Sequence, residues 1–444
     1  MVTPPFGTTV PGNRWDLVDA APHPLLPVTV VVTHYRQPGE LARTLAALAR
    51  QDYPAELLQV VVADDGSPDA PVVPAGVEVV RQPDRGFRAA AARNLGAARA
   101  TGDVLCFLDA DTSPEPGYVR AITRLPALLP EAVTVGKRRH AELAGQPVEA
   151  PIEIAALVHP LPEPAWLADA YERSQNLLEA DDRSYRYIIS AAFACSRWLF
   201  AETGGFDESF DRYGGEDWEW AHRAWQDGAV FAHVPDAVAW HDGPEWAGRA
   251  ADPDERTRRG NAQTLLLSHK IAVDGSRGTG VFAPVADIVF RLRGRHGEAA
   301  TFVCADSVLA AFPRARVELE HHATAAVFAA DPRVVPVDAA HPTPRVEVEL
   351  VRPVAMPSGS AVSELTDRLR RLGTGDEGAL DIRAPDGEVL ARAVSRRARV
   401  RRARWGDDAE VSVGSLVVEG AVALRAEPRV EPFVGGWSSP AHLR

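Results

Sequence analysis

The sequence predicts an α/β fold, a parallel sheet alternating with helices, followed by a smaller α/β domain. β-branched apolar runs alternate with segments of helical period along residues 28–108, and the alternation resumes after a glycine-rich break at 274–280. Acidic pairs stand immediately past two of the runs, at the edge where parallel sheets bind their ligands.

Val28 to Thr33 (VTVVVT) reads as a buried strand, and Gly39 to Gln51 repeats Leu41, Leu45 and Leu48 with helical spacing. Leu57 to Ala63 is the next strand, so these segments form a βαβ unit, with Asp64 and Asp65 at its carboxyl edge. Val77 to Val80 is a short strand. Arg88 to Ala100 is alanine-rich and helical, and Thr101-Gly102-Asp103 stops it. Strand Val104 to Leu108 follows, with Asp109 and Asp111 just beyond, so the topology brings two acidic pairs to one edge. Residues 130–190 mix proline-containing stretches with a helix near Trp166 to Ala180. Past Gly204 aromatic and acidic residues crowd together. Asp217 to Trp225 reads as a helix entered from a glycine turn, and Asn261 to His269 as another. Asp274 to Gly280 is a linker, which separates an N-terminal arm (1–26) and a main domain (27–273) from a C-terminal α/β domain (281–444).

A chain of 444 residues exceeds one ordinary core, and 46% hydrophobic with 25% charged residues is a globular composition. The net charge of −13 disfavours nucleic acid as a partner. Cys106, Cys195 and Cys304 are odd in number and far apart, which fits buried residues in a reducing compartment better than a disulfide framework or a clustered zinc site. The first 24 residues hold no apolar h-region, and no apolar run nears the length of a membrane span, so the expectation is a cytoplasmic protein, with a peripheral place at the inner membrane face left open.

Asp109-Ala110-Asp111 offers hard oxygen ligands to manganese or magnesium, which neutralise a diphosphate; acidic pairs also occur as ordinary loop and cap residues. Glu216 and Asp217 follow two glycines that allow close approach of a substrate, though acids at a helix start also complement its dipole.

Four ordered motifs give these pieces a common meaning. Thr33-His34-Tyr35, Ala63-Asp64-Asp65-Gly66-Ser67, Asp109-Ala110-Asp111 and Gly214-Gly215-Glu216-Asp217, with GFRAAAARNLGAARATGDVLCFLDAD and GGFDESFDRYGGEDWEWAHR around them, resemble the family 2 inverting glycosyltransferases of the GT-A fold. The likeness covers about residues 27–245 and is closest to galactosyl- and N-acetylgalactosaminyltransferase-type members. It implies a Rossmann-like nucleotide-sugar-binding domain whose donor is most commonly a UDP-sugar. It further implies that Thr33, Tyr35, Asp64 and Asp65 line the nucleoside, and that Arg93 lies near the donor phosphates or sugar, unless it makes a surface salt bridge. Asp109 and Asp111 then bind the metal and donor ribose, with His241 as an additional metal ligand or, alternatively, a hydrogen-bonded residue at a strand end. Asp217 is implied as the general base and Glu216 as the acceptor contact. His34, His222 and His233 are read as structural. Of Trp218, Trp220, Trp225, Trp240 and Trp246, most belong to the core and one or two touch the acceptor.

A nucleotidyltransferase is the rival enzyme, but THYRQPGE lacks its basic glycine-rich loop; a non-catalytic nucleotide-sugar-binding protein is the other alternative. The acceptor is open among a glycan, a lipid-linked glycan, a peptide and a small molecule. In the tail, PVADIVFRL (284–292) parallels PVTVVVTHY (27–35), FPRARVELE (312–320) parallels YPAELLQVVV, and 350–369 parallels 107–125, with Arg352, Pro353 and Ala355 where acids are wanted. The tail is therefore expected to be a degenerate copy without a metal site, serving packing, homodimerisation or acceptor placement, although chance likeness between apolar strands produces similar letters.

Overall fold

A computed structural model describes residues 3–244, 253–281, 285–321, 325–337, 339, 342–437 and 443. The chain divides into two units, Met1–Leu267 and Ser268–Arg444. No helix among the described residues is long and apolar enough to cross a membrane.

The first unit runs β1 (Val28–His34), α1 (Pro38–Leu48), β2 (Leu58–Asp64), β3 (Glu78–Arg81), α2 (Ala89–Ala97), β4 (Val104–Asp109), β5 (Thr112–Pro114), α3 (Tyr118–Leu128) and β6 (Ala132–Ala141). It continues with α4 (Ile152–Ala155), β7 (Pro160–Leu161), α5 (Ala165–Arg173), β8 (Ala192–Ser196), α6 (Arg197–Glu202), α7 (Glu216–Gln226) and β9 (Val230–Asp242). The sheet order is β3-β2-β1-β4-β8-β6-β9-β5. The first four strands are parallel, β8 is antiparallel to β4 and β6, and β9 runs parallel to β6. This is the mixed α/β sheet expected for a GT-A domain.

Both faces of its centre are apolar. Val30, Val32, Cys106 and Leu108 pack with Leu41 and Leu45 of α1 and Tyr118 and Ile122 of α3. On the other face α2 comes close because Gly96 has no side chain: a Cβ there would lie 2.4 Å from Val31 Cγ1. Phe107 and Phe193 stack at 4.8 Å and carry Phe200, Phe206 and Trp220 above them. Helix α5 stops at Arg173, short of the expected Ala180, because Gln175, Asn176 and Leu177 all take positive φ, and the Asn176 carbonyl accepts from the backbone N–H of His233.

The second unit contains β10 (Ile288–Leu292), β11 (Arg316–Leu319), β12 (Val334–Pro336), β13 (Val346–Leu350), β14 (Val354–Ala355), β15 (Glu377–Arg383), β16 (Val389–Ser395), β17 (Ser412–Val417) and β18 (Val422–Ala423). Its main sheet has the order β12-β11-β10-β13-β16-β15-β17, and each pairing has the same sense as its counterpart in β3-β2-β1-β4-β8-β6-β9. A shared detail fixes the register. Ser196 caps α6 by accepting from Leu199 N–H, and Ser395 caps helix Arg396–Trp405 by accepting from Ala398 N–H. The next backbone N–H donates across in both, from Arg197 to the Asp103 carbonyl at 2.8 Å and from Arg396 to the Arg345 carbonyl at 2.7 Å.

On this register Val30 and Val32 answer to Phe290 and Leu292, and Cys106 and Leu108 to Val348 and Leu350, so one face is apolar in both units. The other face differs. Val31 answers to Arg291, Leu105 and Phe107 to Glu347 and Glu349, and Phe193 to Arg392. The sequence comparison above is thus displaced by one to three residues, and Val351 and Pro353 answer to Asp109 and Asp111.

Candidate active site

The carboxyl edge of β1 gathers the acids. Thr33 lies beside Ala63 in β2 and Asp109 in β4, and His34 lies beside Asp64. The His34 carbonyl accepts from Asp65 N–H at 2.9 Å, and the Thr33 carbonyl accepts from Ala110 N–H at 2.8 Å. Short β-branched strands in parallel register therefore deliver both acidic pairs to one edge of the sheet, as the topology predicted.

The residues of the first pair do different work. Asp64 is fully buried and accepts from Ser67 N–H and Oγ, Arg81 Nε and His34 Nδ1 at 2.6–3.0 Å. Burial raises its pKa, but these donors outweigh that and hold it below the usual carboxylate value. With both oxygens occupied, Asp64 shapes the loop. Asp65 accepts from Arg88 N–H at 2.8 Å and from Gln82 Nε2, and burial raises its pKa. Tyr35 is exposed and donates to Asp84.

Arg93 is buried on α2, where it is neither a surface residue nor free to clasp a phosphate with both terminal nitrogens. One donates to Asp109 Oδ1 and the other to Glu216 Oε1, each at 2.8 Å. Burial opposes its charge, and the two carboxylates more than restore it. This strut ties the β4 acid to the start of α7. Gly215, at φ 97°, is the N-cap of α7 and turns the chain so that Glu216 and Asp217 open the helix beneath the cleft. Asp217 accepts from Ser190 N–H at 3.2 Å and Trp218 N–H at 2.8 Å. Burial, then the charge of Glu216, push its pKa up to about 7 against the pull of Arg93. Thr33 Oγ1, Arg93 Nε and Glu216 Oε2 are buried with no hydrogen-bond partner among the described residues.

Asp111 faces the far strand. β5 pairs with β9 so that Thr112 lies opposite His241, and His241 Nε2 comes within 3.5 Å of Asp111 Oδ2. His140, level with His241 on β6, has its ring centroid 5.2 Å away. Gln37 Nε2 donates to Asp111 Oδ2 at 3.1 Å. The implied metal set of Asp109, Asp111 and His241 is not gathered into one cluster: no group of three His, Cys, Asp or Glu suited to a metal occurs among the described residues. Asp109 is bonded to Arg93 instead. A carboxylate and an imidazole on one oxygen's approach do suit a divalent cation whose other ligands are phosphate oxygens and water.

Trp220, Trp225 and Trp240 are core residues, whereas Trp218 is half-buried with its ring edge-on to Tyr185. Trp246 lies outside the described residues. His233 stacks flat on Tyr171, and burial pushes its pKa down to about 4. Gln37, His140 and Ser190 escaped the sequence reading. No local pattern marks His140 or Ser190.

Acids thus stand at the ends of adjoining parallel strands, and a buried arginine straps one of them to an acid-headed helix. Residues 29–182 match the family described as Glycosyl transferase family 2, and residues 180–239 match that described as N-terminal domain of galactosyltransferase. The two matches run together over residues 29–239, so this part of the first unit is similar to family 2 glycosyltransferase and galactosyltransferase domains. Among curated relatives, the chain is 28% identical over 247 residues to a hyaluronan synthase of Pasteurella multocida, covering 50% of this chain and 25% of that one. It is 32% identical over 265 residues to a validoxylamine A glucosyltransferase of Streptomyces hygroscopicus subsp. jinggangensis, covering 55% and 59%. The chain thus spans a quarter to about three-fifths of the length of these relatives. Among solved structures, GalNAc-T7 with UDP, GalNAc and Mn2+ aligns over 52% of this chain and 46% of that chain, at 19% identity and TM-score 0.38.

Proposed function

We propose that this protein is a metal-dependent glycosyltransferase that moves a hexose or N-acetylhexosamine from a nucleotide sugar, a UDP-sugar first among them, to a hydroxyl acceptor with inversion. The observation that carries the reading is Asp217: a carboxylate pushed up to about 7, at the head of a helix strapped through Glu216 and Arg93 to the strand-end acid Asp109. A base is most useful with a pKa near the working pH.

Asp217 takes the proton of the acceptor hydroxyl as that oxygen attacks the anomeric carbon. The bond from that carbon to the diphosphate breaks, and the nucleoside diphosphate departs with the bonding pair. Glu216 Oε2, buried and unpartnered among the described residues, accepts from an acceptor hydroxyl. Thr33 Oγ1 and Asp65 meet the nucleoside, with Tyr35 at the rim. Arg93 keeps Asp109 and Glu216 in place and offers Nε to the donor. Asp111 and His241 would hold manganese or magnesium, which would supply positive charge to the diphosphate. The second unit is a degenerate copy without a metal site, which serves packing, dimerisation or acceptor placement.

Thermal shift with a panel of nucleotide sugars and Mn2+ tests the donor side, because a ligand of the native state raises the melting temperature. Stabilisation by a UDP-sugar followed by its slow hydrolysis is the expected result. Release of pyrophosphate from a nucleoside triphosphate would favour the nucleotidyltransferase instead, and binding without turnover would favour the non-catalytic alternative.

A further inference from the structure

Asp111 is held by a residue that none of the four motifs contains. Gln37 is the N-cap of α1, where the chain leaves β1, and its side-chain amide donates to Asp111 Oδ2 at 3.1 Å. Its backbone is fastened as well. Gln37 N–H donates to His34 Nε2 at 3.3 Å, and the other ring nitrogen, Nδ1, lies 2.8 Å from Asp64 Oδ1. A carboxylate only accepts, so His34 carries its proton on Nδ1 and presents a lone pair on Nε2 to Gln37. Asp64 is in turn fixed by Ser67 and Arg81. A continuous run of hydrogen bonds therefore leads from the buried loop acid, through His34 and Gln37, to the oxygen of Asp111 that His241 approaches from the opposite side at 3.5 Å.

We propose that Gln37 is a positioning residue of the cation site: its amide sets the rotation of the Asp111 carboxylate, so that Oδ2 is turned to the side from which His241 converges. This rests on the metal-site reading given above. Outer-shell partners of this kind fix the direction of a ligand oxygen, which a carboxylate on a free rotor otherwise loses to entropy. The arrangement also joins the two ends of the cleft, since the loop that faces the nucleoside and the acid that faces the cation share one anchor.

The test is Mn2+ binding to the full chain, read by the EPR signal of free Mn2+ with UDP present as the probe, for wild type, Asp111→Asn, Gln37→Leu and Gln51→Leu. Gln51 is a neighbouring side-chain amide that bonds to the Ala47 and Glu115 carbonyls, outside the cleft machinery. Gln37→Leu is expected to weaken Mn2+ binding about tenfold, with the metal-free melting temperature unchanged and Gln51→Leu at wild-type affinity. Wild-type affinity in Gln37→Leu, beside its loss in Asp111→Asn, overturns the positioning role and leaves the metal site standing. Unchanged binding in Asp111→Asn overturns the metal-site reading itself. Equal weakening in Gln37→Leu and Gln51→Leu, with a lowered metal-free melting temperature, marks a general loosening of α1 and also overturns the proposal.

Discussion

The two sheets share one strand order and one capped corner, yet where the first has Asp109 and Asp111 the second has Val351 and Pro353. The apolar face is the same in both: Val30, Val32, Cys106 and Leu108 on one side, Phe290, Leu292, Val348 and Leu350 on the other. The opposite face has changed chemistry. Where the first sheet shows Val31, Phe107 and Phe193, the second carries a ladder in which Arg291 pairs with Glu318 and Glu347, Arg293 with Glu349, and Arg392 with Asp381. Residues 82–103 separate β3 from β4 and contain α2, whereas only residues 337–345 separate β12 from β13, too few for a nine-residue helix and its turns. In the first unit that helix supplies Arg93 and packs on the apolar face, whereas in the second the strands carry alternating charges there. The difference teaches that the sheet alone does not make the site. The acids, and the helices that strap them, are separable additions.

The largest effect expected in the first unit comes from Asp217→Asn. It should lower transfer by about 10²- to 10⁴-fold, the scale of a lost general base, while nucleotide binding stays near wild type by calorimetry. Near-wild-type turnover in a folded variant would make Asp217 structural and leave Glu216 as the candidate.

Arg93→Leu strands the buried Glu216 carboxylate and unties the part-exposed Asp109, and should cost about 3–5 kcal/mol in urea unfolding. In the second unit Arg291→Leu leaves the buried Glu318 without its arginine and should cost about 3 kcal/mol. An absence of loss in either variant would contradict the account of its face. Smaller again is Gly96→Ala, whose added methyl meets Val31 at 2.4 Å and should cost about 1–3 kcal/mol by forcing α2 off the sheet.

Much of this was legible beforehand, and the misses have causes. β1, β2 and β4 are buried on both faces, so their unbroken apolar letters announce them, and Asp64 and Asp109 mark their ends. β6 and β8 were not found: β8 is five small or aromatic residues, AFACS, and β6 changes from apolar to basic halfway along. In the tail, VEVEL does announce a one-sided strand, but the register slipped because Arg352 looked like a replacement for an acid, when the capped serines fix Val351 and Pro353 in those places. The roles of Asp64 and Arg93 depend on partners far along the chain, namely Arg81 and Glu216, and no local pattern reveals them.

The smallest effect concerns pH. Asp217 titrates at about 7 in the folded chain against an ordinary value of 3.8. Activity should therefore rise with pH and level off above about 7. The stability contribution runs the other way: a raised carboxyl pKa favours folding below its unfolded value and loses that advantage as pH rises through 7. Asp217→Asn should accordingly gain melting temperature relative to wild type between pH 5 and pH 8, and a constant difference would argue against the raised pKa.

The central claim is that the cation and the donor meet in the first unit alone. Equilibrium dialysis of the full chain against Mn2+ with UDP should give one bound ion per chain, and Asp111→Asn should bind none at the same concentration. A variant that still retains one ion would place the metal elsewhere, the second unit included, and would contradict the account.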